Sequence, residues 1–483
     1  MDEVIKKRLC TLYEQVTGVQ PDEVVALTQS GSNRHYYRLL DRRQGSLRSL
    51  IGVEGTSRAE NHAFVYMSQH FVAKGLPVPR VLACSEDEMC YVQQDLGDTL
   101  LFDYIAEGRK TGVFCEAEKQ MLRRTIRALA RVQMEGADGL DFEQCYPQAA
   151  FNERSVFWDL NYFKYCFLKA TELEFQEDRL ENDFIALSRV LLGAPCTGFM
   201  YRDFQSRNVM VCDGEPFFID FQGGRKGPVY YDVASFLWQA KANLHDDLRG
   251  ELIEEYLDAL QGYVEVNRDA FKAMLQHFVL FRTLQVLGAY GFRGYFEKKP
   301  HFLQSIPYAI ENLRRWLQVN ADCRQAYPYL SEVLAEMVDM KQFKEIAVAK
   351  PLVVKVYSFS YKKGIPADDS GNGGGYVFDC RAVNNPGKYE RYHAYTGLDE
   401  PVIRFIEDDG EMAVFLESAY RLVDASVKRY IDRGFTSLMV SFGCTGGQHR
   451  SVYAAEKMAE HIHARYGVTV QLIHREQNIH RQL

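Results

Sequence analysis

No C-x-x-C pair occurs among the 11 cysteines, which are odd in number and scattered along the chain. That argues against a zinc cage and against a disulfide framework, and it leaves buried thiols as the expectation. No apolar run approaches the roughly 20 residues that a membrane helix needs, and the opening MDEVIKKRLC lacks the apolar core of a signal peptide. A cytoplasmic protein with no membrane partner is expected. The P-loop pattern G-x-x-x-x-G-K-[ST] is absent. So is any surplus of positive charge: the net charge of −8 speaks against an extended nucleic-acid surface. From Pro351 onward Lys plus Arg number 16 against 16 Asp plus Glu, so the deficit lies entirely upstream.

What is present is organised around Phe199 to Leu237, FMYRDFQSRNVMVCDGEPFFIDFQGGRKGPVYYDVASFL. Asp203 and Asn208 have the D-x-x-x-x-N spacing of a phosphoryl-transfer loop. The apolar runs Val209 to Cys212 and Pro216 to Ile219, joined by Asp213-Gly214, predict a hairpin that brings Asp220 to the same end as Asp203. Either carboxylate alone would be read as a turn cap. Together they fit a proton acceptor, Asp203, and two Mg²⁺ ligands, Asn208 and Asp220, acting on ATP.

This stretch resembles the aminoglycoside phosphotransferase and choline kinase superfamily, kinases of small-molecule hydroxyls on a protein-kinase-like fold. YRDFQSRNVMV followed by IDFQGGRKGPVYYDVASFL is similar to the anomeric kinases of N-acetylmuramate and N-acetylglucosamine. The resemblance implies an ATP lid in LTQSGSNRHYYRL, with Ser30, Gly31, Ser32 and Arg34 near the phosphates. It implies an adenine-binding hinge in YVQQDLGDTL, where the backbone of Gln93, Gln94 and Asp95 meets the base. It also implies an amino-sugar substrate, with Arg202, Gln205 and Arg207 as candidate contacts. One departure stands out: the third strand reads LIGVEG and has no phosphate-binding Lys. Arg34, Arg38 or Arg48 would have to substitute, and Glu60, left without that Lys, is read as a solvated helix residue. Arg282, Gln285 and Arg293 are polar groups on a later helix that could face the substrate cleft.

Beyond Pro351 the pattern changes to alternating strand and helix. Its centre is SLMVSFGCTGGQHRSVYAAEKMAEHI, a buried strand, a glycine-rich loop and a helix. Such a loop presents backbone N–H groups and a helix N-terminus to an anion. Cys444, Thr445, Gly446, Gly447, His449, Arg450 and Ser451 are the candidate ligands. Cys444 to Arg450 also fits C-x5-R, a phosphatase loop, for which Asp379 or Asp399 could supply the acid. GCTGGQHRSV, with SFSYKKGIP, VFDCRAVNNP and TGLDEPV, resembles the C-terminal domain of the RNase adapter protein RapZ. That implies a phosphosugar ligand, with a small regulatory RNA as a further partner and self-association left open.

The expected fold class is therefore α/β multidomain: a two-lobed, protein-kinase-like aminoglycoside phosphotransferase fold followed by a small α/β domain. The expected domains are 1–335 (small lobe 1–97, large lobe 98–335), a linker at 336–350 and 351–483. The expected function is ATP- and Mg²⁺-dependent phosphorylation of an amino sugar in cell-wall recycling. The alternatives are a kinase for another small hydroxyl compound, or a regulatory adapter with a degenerate kinase half.

Overall fold

The computed structural model describes residues 3–27, 34–42, 48–344, 352–368, 370, 374–433 and 435–483. The chain divides into two compact units, Met1–Glu297 with Ser305–Phe343, and Lys298–Gln304 with Lys344–Leu483. Among the described residues no helix is long and apolar enough to cross a membrane. The eleven cysteines are all unbridged; five are buried, and Cys115 is exposed.

The first unit opens with helix α1 (Glu3–Thr17) and strands β1 (Glu23–Ala26), β2 (His35–Asp41) and β3 (Arg48–Glu54). Helix α2 (Arg58–Ala73) and strands β4 (Val81–Cys84) and β5 (Cys90–Gln94) complete an antiparallel sheet in the order β1-β2-β3-β5-β4. Alternation sorts its two faces. Leu39 and Val92 pack with Leu9, Leu12 and Tyr13 of α1, while Ile51, Val53 and Tyr91 join the main core with Phe64 and Met67 of α2. Ser57 caps α2 by accepting from the Glu60 amide.

A helical part follows: α3 (Leu101–Tyr104), α4 (Ala106–Thr111), α5 (Glu116–Ala137), α6 (Glu153–Phe163) and α7 (Glu177–Leu192). Four short strands then carry the candidate site. These are β6 (Gly198–Met200), β7 (Val209–Cys212), β8 (Glu215–Phe218) and β9 (Arg225–Gly227), paired β6 with β9 and β7 with β8. Helices α8 (Tyr230–Leu237), α9 (Asp246–Leu260), α10 (Arg268–Gly291), α11 (Ile306–Val319) and α12 (Pro328–Val338) close the unit. The hairpin expected at Val209 to Ile219 is present. Its turn residues Asp213 and Gly214 both have positive φ, which is what a two-residue connection between twisted strands requires.

The second unit is an open sheet in the order β11-β12-β10-β13-β14, from β10 (Val353–Ser360), β11 (Tyr376–Asp379), β12 (Ser437–Cys444), β13 (Thr469–His474) and β14 (Ile479–Gln482). All pairs are parallel except β13 with β14. Helices α13 (Glu400–Asp409), α14 (Glu411–Arg433) and α15 (Arg450–Tyr466) accompany it. β12 is buried along nearly its whole length, as a parallel strand inside a sheet is, whereas β10 alternates until its last three residues. β10 leads on to β11 in one direction along the sheet and its neighbour β12 leads on to β13 in the other, so the chain diverges at their carboxyl ends, where open α/β sheets leave a crevice.

Candidate functional site

After Met200 the chain leaves the core of the first unit and must turn sharply. Arg202 adopts φ +82° and Asp220 φ +68°, a region that costs L-residues energy and persists only where neighbours hold it. The holder is Asp232 on α8. Its carboxylate accepts from the Tyr201 amide at 2.7 Å, the Arg202 amide at 2.9 Å and Gln133 Nε2 at 3.0 Å. Burial pushes the Asp232 carboxyl up to about 6 in spite of these three bonds. The Tyr201 hydroxyl donates to the Ile219 carbonyl, and the Ile219 amide donates to the Asn208 carbonyl at 3.0 Å. Asn208 and the segment entering Asp220 are thus joined by a backbone bond between the arms of the hairpin, and the Tyr201 hydroxyl ties the chain before Asp203 to the same segment.

The Asp203 side chain is 54% exposed and is oriented from two directions. Its Oδ1 accepts from Gln205 Nε2 at 2.7 Å and from Arg282 Nη2 at 3.1 Å. Asn208 Nδ2 donates to the Asp203 carbonyl at 2.8 Å, which leaves its amide oxygen turned to other work. Arg282, buried on α10, is itself held by Ser235 Oγ at 3.0 Å and by Gln285. Burial raises the Asp220 carboxyl above its ordinary value; the bond from Gln222 Nε2 at 2.7 Å opposes the shift and the charge of Asp203 adds to it.

The structure places the remaining candidates in three groups. Ser30, Gly31 and Ser32 lie outside the described residues. Arg34 is buried at 2% exposure and forms an ion pair with Glu60 at 3.3 Å, within electrostatic reach of Asp220. Glu60 is therefore a partner of a buried cation and not merely a solvated helix residue. The physical reason lies on β3. Ile51 and Val53 point into the core beside Tyr91 and Phe64, where an ammonium could not be placed without desolvating it, so the cation comes from the residue that enters β2. Gln93 and Gln94 sit in β5 opposite Ile51 and Leu50, and the Asp95 carboxylate is held by Arg38 Nε at 2.7 Å, by Ser49 and by the Gly97 amide at 2.9 Å. Arg202 turns to Asp159, 2.7 Å away, while Arg207 stacks its guanidinium 4.3 Å from the centre of the Phe102 ring.

In the second unit the glycine-rich loop leaves β12 at Cys444 and enters α15 at Arg450. Cys444 Sγ and Ser451 Oγ share a hydrogen bond at 3.1 Å, and both residues are buried. Ser360 Oγ, at the end of β10, donates to the Thr445 carbonyl at 2.8 Å. Gly447 has φ +67°, and a Cβ there would lie 2.8 Å from the Ser360 amide nitrogen, so a side chain is barred twice over. Arg450 Nη1 donates to the Arg381 carbonyl at 3.0 Å and the Val383 carbonyl at 2.7 Å; His449 Nε2 lies 3.1 Å from the Tyr392 carbonyl. Glu476 accepts from the Ser360 amide at 3.3 Å and pairs with Lys363 at 2.5 Å.

A family model described as the phosphotransferase enzyme family matches residues 23–270, which is more than half of the chain. This chain belongs to that family. A second model, the RapZ C-terminal domain, matches residues 352–478. Curated relatives include a nucleotide-binding protein of Acinetobacter baylyi, 35% identical over 125 residues (26% of this chain, 42% of that one). Another, from Cereibacter sphaeroides, is 38% identical over 185 residues (37% and 59%). The chain thus spans about half the length of these curated relatives. Similar solved structures include a choline kinase of Cryptosporidium parvum, 11% identical with a TM-score of 0.44 (65% of this chain, 93% of that one). An amicoumacin kinase solved with AMP-PNP and Ca²⁺ is 13% identical with a TM-score of 0.43 (72% and 100%).

Three groups in the phosphotransferase domain escaped the reading of the sequence. Asp232 lies inside the quoted stretch but shows no motif of its own. Asp159 and the contact of Arg282 with Asp203 join residues 43 and 79 positions away in the chain. An acidic residue in the first turn of an otherwise apolar helix, as in YYDVASFL, is the one local signal that could have exposed Asp232.

Proposed function

We propose that the phosphotransferase domain transfers the terminal phosphoryl group of ATP to a hydroxyl of an amino sugar, N-acetylmuramate or N-acetylglucosamine at the anomeric carbon. The observation that carries this reading is the convergence of Asp203, Asn208 and Asp220 on one hairpin, with Asp203 half-exposed and aimed by Gln205 and Arg282. Asp203 accepts the proton of the acceptor hydroxyl as that oxygen bonds to phosphorus and the bond from phosphorus to the ADP oxygen breaks. An anomeric hydroxyl is more acidic than a simple alcohol, which lightens the demand on the base.

The donor set fits Mg²⁺. Asp220 carries a carboxyl that burial and the neighbouring Asp203 hold toward its neutral form, so a cation there would relieve both penalties, and the Asn208 amide oxygen faces away from its own donor bond. One carboxylate, one amide oxygen and ATP phosphates make the hard-oxygen environment that Mg²⁺ takes. Asn208 and Asp220 would hold it, and it would supply charge neutralisation on the phosphates. Arg34, paired with Glu60, takes the place of the missing third-strand lysine at the phosphates.

In this reading the second unit is a phosphosugar sensor in cytoplasmic cell-wall recycling. The backbone of Thr445 to Gly447 holds the phosphate, the buried Ser451 hydroxyl ties the loop to Cys444, and Arg450 and His449 brace it from behind. The test is ATP consumption by the full chain against a panel of neutral, N-acetylated and acidic sugars. Turnover with an N-acetylated amino sugar that Asp203→Asn lowers by about 10²–10⁴-fold is expected. Turnover with choline or nucleosides alone would replace the substrate, and turnover unaffected by Asp203→Asn would overturn the assignment of the base.

A further inference from the structure

Beside the catalytic hairpin two guanidinium groups share one aromatic ring, and the backbone of a lysine adjoins one of them. The Arg109 guanidinium lies 3.4 Å from the centre of Phe102, and that of Arg207 lies 4.3 Å from the same centre. Arg109 Nη1 also reaches the backbone carbonyl of Lys241 at 3.4 Å. Arg207 is exposed, while Arg109 and Lys241 are half-buried.

Among the described residues no carboxylate forms an ion pair with any of the three, although Asp103 lies within electrostatic reach of Arg109. Several other sequestered cations of the same unit are paired, Arg202 with Asp159, Arg38 with Asp95 and Lys164 with Glu177, whereas among the described residues Arg225 bonds only to the Gly223 carbonyl. An aromatic face attracts a guanidinium and fixes its plane but adds no negative charge. The cluster is therefore ordered and uncompensated, which costs folding free energy unless something anionic is bound there. Burial, with the charges of Arg207 and Arg109 adding, pushes the Lys241 ammonium down to about 8. Burial and the charge of Arg207 push Arg109 down to about 10.

The position relative to the reacting atoms identifies the ligand. Arg207 precedes Asn208 on the catalytic loop. Tyr290 of α10 lies within electrostatic reach of Asp203, Arg207 and Arg282 together. The charges felt by Asp220 are those of Asp203, Arg34 and Glu60. Two cationic regions thus flank the catalytic loop: Arg34, paired with Glu60, and the Arg109–Arg207–Lys241 cluster, next to the cavity that Gln205, Arg282, Tyr290 and Ala240 line. The first serves the nucleotide in the reading above; the second is left for the acceptor.

We propose that Arg109, Arg207 and Lys241 form a subsite for an anionic substituent of the acceptor, a carboxylate or a phosphate ester, and so select acidic over neutral hydroxyl compounds. This rests on the reading of Asp203 as the phosphoryl-transfer centre. The specificity it implies belongs to this chain's own residues, two of which no sequence motif singles out.

The test uses the full chain and three sugars, N-acetylmuramate, neutral N-acetylglucosamine and N-acetylglucosamine 6-phosphate, in calorimetric titration without ATP and in steady-state turnover. The expected result is that the wild type binds at least one of the two acidic sugars about tenfold or more tightly than the neutral one, as one charge-assisted contact warrants. The preference shrinks with added salt. Which acidic sugar wins tells a carboxylate from a phosphate ester. Lys241→Gln and Arg207→Gln each lower the acid-to-neutral ratio about tenfold, and Lys110→Gln, the same charge change on an exposed residue paired with Glu107, leaves it in place. Absence of turnover with a binding preference that Lys241→Gln and Arg207→Gln remove, and that therefore does not belong to the phosphosugar site of the second unit, removes the phosphotransfer reading and keeps the subsite. Equal affinity for acidic and neutral sugars, no binding of either acid, or a rise in KM for ATP alone in the two variants overturns the subsite.

Discussion

Two loops in this molecule leave a buried strand, turn sharply and place polar residues at a strand's carboxyl end, but they direct those residues oppositely. After Met200 the chain turns Asp203 outward, 54% exposed, and assigns buried groups, Asp232 and Arg282, to hold it there. After Cys444 the charged side chains turn inward. Arg450 and His449 are buried against backbone carbonyls, and what faces out is the loop's own backbone. The first arrangement suits chemistry, which needs an ionisable group in contact with substrate. The second suits binding of an anion by peptide N–H groups, which needs a rigid turn and little else.

The sharpest way to break this contrast is to remove a group read as chemical from the first site and a group read as structural from the second. Asp220→Ala should lower kcat by about 10³-fold, the effect of several kcal/mol of lost charge stabilisation, with the unfolding profile of the first unit unchanged. Near-normal turnover would show that Asp220 belongs to the scaffold, as Arg450 does.

Arg450→Ala should act through stability. It strips two carbonyls of a charged donor in a buried place, which costs roughly 3 kcal/mol, and calorimetry should show the transition of the second unit moving down while ATP turnover persists. Cys444→Ser, which keeps a hydrogen-bonding partner for Ser451, should leave phosphosugar binding largely intact. Hydrolysis of phosphate esters lost in Cys444→Ser would instead make the loop a phosphatase.

The mildest effect is a difference in pH response. The Asp232 carboxyl is raised to about 6 by burial, so its share of stability is complete below the ordinary carboxylate range and is lost as pH rises through about 6. Burial also works to raise Glu456 in the second unit, but bonds from His474 at 2.9 Å and from Arg481 outweigh it and hold that carboxyl below its usual value. Its contribution is present above the ordinary range and is lost as pH falls through the lowered value. Calorimetry from pH 4 to 7 should show the first transition of the wild type falling as pH rises through about 6, a fall that Asp232→Asn lacks, and the second transition losing its acid limb in Glu456→Gln. Parallel behaviour of the two variants would refute the contrast.

How much of this was legible differs from residue to residue. The spacing of Asp203 and Asn208, the hairpin and the glycine-rich loop are local patterns, written in consecutive residues because turn geometry and strand alternation act over a few positions. The composition of the sequence also changes near Pro351, while the compact units divide at Phe343 and Lys344, because a core leaves its mark on strands and helices and not on the segment that joins two cores. Glu60 was misjudged because its meaning depends on Arg34, 26 residues away, and on the apolar packing of β3 that excludes a lysine. By its place next to Asp203 the sequence offers Arg202 as a substrate contact; in the structure it has a positive φ and its guanidinium pairs with Asp159, 43 positions away.

The sequence by itself determined the order of elements, the family to which the chain belongs and the residue types available for chemistry, because each of these follows from short-range periodicity and spacing. Tertiary structure decided which charges are used and which are silenced. Asp232 became a brace, Arg282 a partner of Asp203, and Arg450 a support, whereas Arg109, Arg207 and Lys241 were brought together without a counter-charge. A charge acquires its role from the dielectric and the partners around it, and those are set by residues far away in the chain.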